Sequence, residues 1–274
     1  MNWRSIWAIA LKDLKEVRQN KAAWGPAIVV PVIFAIAMPL LFIILPQVLP
    51  VEDMQRELGD MESLLRNMPP SLKVLFEGLS LEQMFVLYMT AFTLAPLFQV
   101  MPLMFSTVVG SDSFVGERER KTMEALLYAP TSDLELFLGK VLAAVLPAIG
   151  LSWLTYFIYI IVVNVASRPL FGRIWFPLPS WWPLMFWLTP ALAVLGISAT
   201  VLISSRVKTF MEAYQLSASL VVLVLGLVFG QVTGVLFLGI GTVLVIGTII
   251  WLVDILLITL SVKKFRRSAL IAKL

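Results

Sequence analysis

AYQLSASLVVLVLGLVFGQVTGVLFLGIGTVLVIGTIIWLVDILLITLSV occupies residues 213–262 and contains a single charged side chain, Asp254. About 20 apolar residues cross a bilayer, so this run is too long for one helix. Gly230-Gln231-Val232-Thr233-Gly234 is the natural break, and the stretch reads as a fifth and a sixth membrane span. The rest of the sequence agrees. Hydrophobic residues make up 59% of the 274 and charged residues 14%, with a mean hydropathy of +0.92. A soluble domain carries roughly 25% charged residues, so a water-exposed surface cannot be built from this composition. The expected class is all-α, a polytopic membrane protein forming one transmembrane domain over residues 1–274.

Four more spans precede the run: Trp24–Leu45, interrupted by Pro26, Pro31 and Pro39; Met84–Val109; Leu138–Ala166; and Pro183–Ser204. Buried transmembrane helices tolerate such prolines with kinks. Residues 1–23 place Trp3, Ile6, Trp7, Ala10, Leu14 and Val17 at helical spacing, with Lys12, Lys15, Glu16 and Arg18 mostly opposite. That pattern predicts an amphipathic helix in the membrane interface; a solvated lead-in is the plainer alternative. Mixed charge and the lack of a small-residue cleavage site argue against a cleaved signal peptide. The loop over 46–83 has Met54, Leu58, Met61, Leu65 and Met68 in helical register, then Pro69-Pro70 and a short apolar stretch over 72–79. It predicts a pair of helices packed as a lid over the outer mouth, with a floppy linker as the plainer alternative. Trp175, Trp181 and Trp182 suit an interfacial belt.

Orientation follows from basic residues. The segments 1–23, 110–140, 205–212 and 263–274 hold sixteen Lys and Arg, and the opposite loops hold five. The positive-inside rule then puts both termini and the basic tail in the cytoplasm of a multi-pass protein of the cell membrane.

Chemistry is excluded more readily than assigned. The chain has neither cysteine nor histidine, which removes disulfides, thiolate nucleophiles and the commonest general base and metal ligand. Gly110–Thr122 lacks the spacing and the Gly-Lys-Ser/Thr of a phosphate loop. No metal site, no catalytic residue and no nucleic-acid partner is expected. Asp254 lies about 13 Å inside its end of the sixth span, where a charge is expensive. It is either an ion or proton site or a structural group partnered by Asn164, a hydroxyl or water. Gly226, Gly230 and Gly234 form two GxxxG steps, but they coincide with the expected turn. Phe92, Gln99, Gln215 and Ser219, inside the second and fifth spans, are weak candidates for a substrate path, since such residues are usually packing.

GSDSFVGERERKTMEALLYAPTSDLELFLGK, residues 110–140, is a charged island between apolar segments. Glu117, Arg118, Glu119, Arg120 and Lys121 carry both signs, unlike a polybasic lipid patch, while Met123, Leu126 and Leu127 offer an apolar edge. The pattern fits a short cytoplasmic helix that docks on a partner, or equally a solvated loop.

The island resembles the cytoplasmic motif between the second and third spans of permease subunits of type-2 ABC exporters. The matching elements are Glu117-Arg118-Glu119, Thr122-Met123-Glu124-Ala125-Leu126-Leu127, Pro130 and Gly139-Lys140. The small residue often preceding the Thr is Lys121 here. The second cytoplasmic link, SSRVKTFMEAYQLS over 204–217, is similar too. The resemblance implies a half-transporter: two permease copies, identical or paired with a second type, and two copies of a separate ATP-binding subunit that holds the ATP and Mg. This chain would hold no cofactor and have no ATPase activity of its own. Glu117, Arg118, Glu119, Arg120, Thr122, Glu124, Leu126 and Leu127 become the coupling helix that meets the ATPase. The second and fifth spans would line the path, and cargoes of similar permeases include drugs, peptides, lipids, polysaccharide precursors and sodium. The alternative is an ion-conducting or ion-coupled protein that uses Asp254 without an ATPase.

Overall fold

Serine caps set where two of the long helices begin. In the computed structural model, which describes residues 2–19, 29–48, 68–122 and 131–264, the Ser80 hydroxyl accepts from Gln83 N–H and Gln83 Oε1 accepts from Ser80 N–H. Ser132 and Glu135 repeat this capping box. Each box satisfies two of the amides that a helix start leaves unpaired. The second and third spans therefore start at Leu81 and Asp133, ahead of the expected Met84 and Leu138.

The described elements are all helical. They are α1 (Trp3–Gln19), α2 (Val29–Val48), α3 (Pro70–Lys73), α4 (Leu81–Glu119), α5 (Asp133–Ala166), α6 (Arg168–Phe171), α7 (Trp181–Ser204), α8 (Phe210–Val232) and α9 (Ile240–Lys264). Six of them, α2, α4, α5, α7, α8 and α9, are long and apolar enough to cross a membrane. The break in the long apolar run falls at Thr233–Gly239, where Gly234 takes a left-handed φ of 72°. Gly226 and Gly230 stay inside α8. Of the expected lid, residues 51–67 lie outside the described residues; α3 and the turn Val74–Phe76 form its second part.

α4 is the centre of the bundle. It packs against α5 and α7, and α9 lies on α7. Gly196 of α7 meets α4 so closely that a Cβ there would sit 2.1 Å from Ser106 Oγ. By contrast α2, α8 and α9 leave most of their apolar surface outward, as helices bordering lipid do.

Three of the span helices carry a π-turn shortly before a proline: Ile33–Ala37 before Pro39, Tyr88–Thr93 before Pro96, and Leu184–Leu188 before Pro190. Proline has no N–H and crowds the preceding turn, and the wider π-turn absorbs that mismatch. In α4 the loosened carbonyls find side-chain donors. Tyr159 of α5 donates to Thr90 O at 2.6 Å, Trp181 of α7 to Ala91 O at 2.9 Å and Gln231 of α8 to Phe92 O at 2.6 Å. Around them the rings of Phe98, Tyr156, Tyr159, Phe176 and Trp181 form one aromatic cluster, with centroids 4.8 Å apart for Phe98–Tyr159 and Phe176–Trp181.

Two expectations change. Residues 110–116 do not open a solvated loop. They are buried and continue α4 through a further π-turn, Asp112–Gly116. On α1 the inward stripe is Ile6, Ile9, Ala10 and Asp13, whereas Trp3 and Trp7 are exposed. A charged residue thus faces the bundle because α5 supplies its counter-charge.

Candidate functional site

Lys140, in the second turn of α5, is fully buried. Its ammonium donates to Ser113 O of α4 at 2.8 Å, to Asp13 Oδ2 of α1 at 3.2 Å and to Glu117 Oε2. The other Glu117 oxygen accepts from Lys12, which also contacts Glu16 at 2.9 Å and Asp13 Oδ1 at 3.3 Å. Three helices are thereby joined through one buried network. Isolated buried charges are very costly, and here the buried carboxylates of Asp13 and Glu117, with Glu16 at the rim, face two ammonium groups. Burial works against the Lys12 ammonium, but its hydrogen bonds to Glu117 and Glu16, and the charges of Glu117 and Asp13, outweigh it and hold the pKa above the ordinary lysine value.

Asp13, Glu16 and Glu117 bring carboxylate oxygens within 4.8 Å of one another. That spacing suits a cation, and the two lysines already provide it, so the cluster does not fit a metal site. Gly139 is the reason α1 can come so near: a Cβ there would lie 2.7 Å from Ile9 Cγ2 and 3.0 Å from Ile6 O.

The following residues clamp neighbouring helix ends. Arg118 donates to Ser204 O, at the C-terminus of α7, at 3.0 Å and to Val207 O in the link before α8. Glu119 accepts from Phe210 N–H at 2.8 Å, at the N-terminus of α8. Each charge has the sign that complements its helix end. Arg120 donates to Asp112 Oδ1 at 2.8 Å, a bond that raises its pKa. The pair crosses Gly116, where a Cβ would sit 2.8 Å from Asp112 Oδ1. Thr122 N–H closes the turn on Glu117 O at 2.9 Å.

The charged residues of the island thus divide. Glu117 is wholly internal. Glu119, Arg120 and Thr122 are exposed and Arg118 is half-buried. Glu124, Leu126 and Leu127 lie outside the described residues. The residues that sequence reasoning missed are Asp13, Lys12 and Lys140. The Gly139-Lys140 pair was visible as a motif element, but its ionic partners on α1 and α4 were not.

Among the described residues the four path candidates divide between the interior and the surface. Phe92 and Gln99 are buried: the Phe92 ring lies against Phe76 and Tyr88, and Gln99 Oε1 accepts from Thr189 at 3.1 Å. Gln215 and Ser219 are exposed on α8. Asp254 is fully buried, and neither of its oxygens has a hydrogen-bond partner among the described residues. Asn164 is not its partner. The Asn164 amide donates to Ile160 O and Phe176 O and accepts from Trp175 and Phe176 N–H, pinning the loop after α5.

Six helices long and apolar enough to cross a membrane, with a charged, cross-braced end at the 2–3 connection, define a polytopic helical membrane domain. Residues 7–245 match the family model of the ABC-2 family transporter proteins, and the chain belongs to that family. Its members are membrane subunits of ABC transporters, which associate with an ATP-binding subunit. Neither the curated proteins nor the solved structures gave a match.

Proposed function

We propose that this chain is the permease subunit of an ATP-driven exporter, working with a second permease copy and two copies of a separate ATP-binding subunit that carries ATP and Mg. The observation that carries the reading is the Lys140–Glu117–Asp13 network. It braces α1, α4 and α5 at the base of the segment whose motif resembles a coupling helix. A docking segment must be stiffly joined to the spans it moves, since a partner shifts a conformational equilibrium only through differential contacts with its two states. On this reading Glu117 positions the segment, while Glu119, Arg120, Thr122, Glu124, Leu126 and Leu127 meet the ATPase and Arg118 ties it to α7. Trp3 and Trp7 face the lipid interface, and both termini are cytoplasmic.

Co-purification with candidate ATP-binding subunits tests this. The Arg120→Ala/Glu124→Ala variant is expected to lose most of the stimulated ATPase activity while the chain still inserts and folds. A stable, fully stimulated complex with residues 118–127 scrambled would sink the proposal.

The unpartnered Asp254 favours one second reading, an ion-coupled step through the α7–α9 interface. Asp254→Asn then abolishes any cation or pH dependence of transport. Unchanged dependence discards that reading and leaves the carboxyl a packing group.

A further inference from the structure

A cavity of about 430 Å³ opens at the end of the bundle opposite the Lys140 network, between α3, the loop before α7 and the loop before α9. Its walls are apolar, with Leu72, Leu75, Leu178 and Phe237, and its polar lining includes Ser180 and Thr242. Two membrane-spanning helices begin here. In α9 the helical ladder opens with Val243 N–H donating to Gly239 O at 3.0 Å. The amides of Ile240, Gly241 and Thr242 precede that ladder, and Gly239 has no side chain to cap them. α7 starts at Trp181, after Ser180 at its N-cap position.

Ser180 supplies an independent observation. Serine at an N-cap ordinarily turns its hydroxyl onto the helix amides; this one makes no capping bond. The residue is 8% exposed, lines the cavity and has no side-chain hydrogen-bond partner among the described residues. With no bond of its own, this hydroxyl is open to the cavity and free to donate to a ligand there. The N-terminus of α9 also adds positive potential here, whereas Trp181 N–H of α7 is already bonded to Leu178 O. An adjoining cavity of about 290 Å³ shares Leu75 and Leu178 and carries the exposed Arg173. Trp182, Ile174 and Val235, all exposed nearby in the chain, suit the depth where headgroups meet acyl chains.

We propose that this cavity binds the phosphodiester headgroup of a membrane phospholipid. The phosphate sits at the start of α9 against Ser180 and Thr242, and the first part of an acyl chain runs along Leu72, Leu75 and Leu178. The site is independent of the ATPase and of the direction of transport.

The test uses the delipidated full chain in detergent, titrated with dioleoyl phosphatidylglycerol and followed by native mass spectrometry. Gly239→Asp places a carboxylate where it caps α9 and repels phosphate; a Cβ at this position meets nothing within 4 Å. An N-cap Asp favours the helix, so its melting temperature stays level or rises. Binding of the first lipid is expected to weaken about tenfold or more in Gly239→Asp, and by a smaller factor in Ser180→Ala. Dioleoylglycerol, which lacks phosphate, is expected to bind no better to wild type than to Gly239→Asp. Equal phosphatidylglycerol affinity in wild type and Gly239→Asp overturns the site. Displacement of the lipid by inorganic phosphate at equal concentration overturns the lipid as its source and leaves free phosphate.

Discussion

Lys140→Met is expected to destabilise the purified chain by about 3–5 kcal/mol, the range for removing one partner of a buried ion pair. The methionine fills much of the same volume, so the loss is electrostatic. Asp13 and Glu117, both buried, are then left with Lys12 as their neighbouring ammonium, and the Ser113 carbonyl loses a donor. Intrinsic tryptophan fluorescence on heating or denaturant titration reads the change. The double variant Lys140→Met/Glu117→Gln removes one of the stranded charges. It should be more stable than Lys140→Met alone, with a coupling of about 1–3 kcal/mol. If the two substitutions instead add, the network is not a unit and α1 is held by its apolar stripe alone.

Trp181→Ala is the second large effect. The indole packs on Phe98 at 5.3 Å, Tyr159 at 5.4 Å and Phe176 at 4.8 Å, and its N–H satisfies Ala91 O. Truncating a buried Trp costs about 3–5 kcal/mol, and the abandoned carbonyl adds about 1–3 kcal/mol. Trp181→Phe keeps most of the ring contact and should retain more than half of the lost stability. An alanine variant within about 1 kcal/mol of wild type would show that the cluster relaxes to fill the space.

Six spans and their order were legible in the sequence because apolar runs of bilayer length have no other use. The boundaries were less so, although both capping boxes, Ser80 with Gln83 and Ser132 with Glu135, were there to be seen. The island misled for a different reason. Ser111, Asp112 and Ser113 look like a solvated loop, and their burial depends on Arg120, on Lys140 and on the packing of α7 and α8 against this turn. Likewise Lys12 and Asp13 look like one polar face of an interfacial helix until α5 is placed beside them. A glutamine in a span does not announce which way it faces. Pro96 held the better clue, because a proline orphans the carbonyl four residues earlier, Phe92, and Gln231 answers it.

The bent part of α4 has a mechanical consequence. Its three adjacent carbonyls, at Thr90, Ala91 and Phe92, are held by α5, α7 and α8 respectively. Some 24 residues separate Thr93 from Glu117, a span of about 36 Å at helical rise, which passes a turn at Phe98–Gln99 and the π-turn Asp112–Gly116. A push at the charged end therefore works against a fulcrum gripped from three sides: a sideways displacement there either carries α5, α7 and α8 along as one block or tears three bonds together.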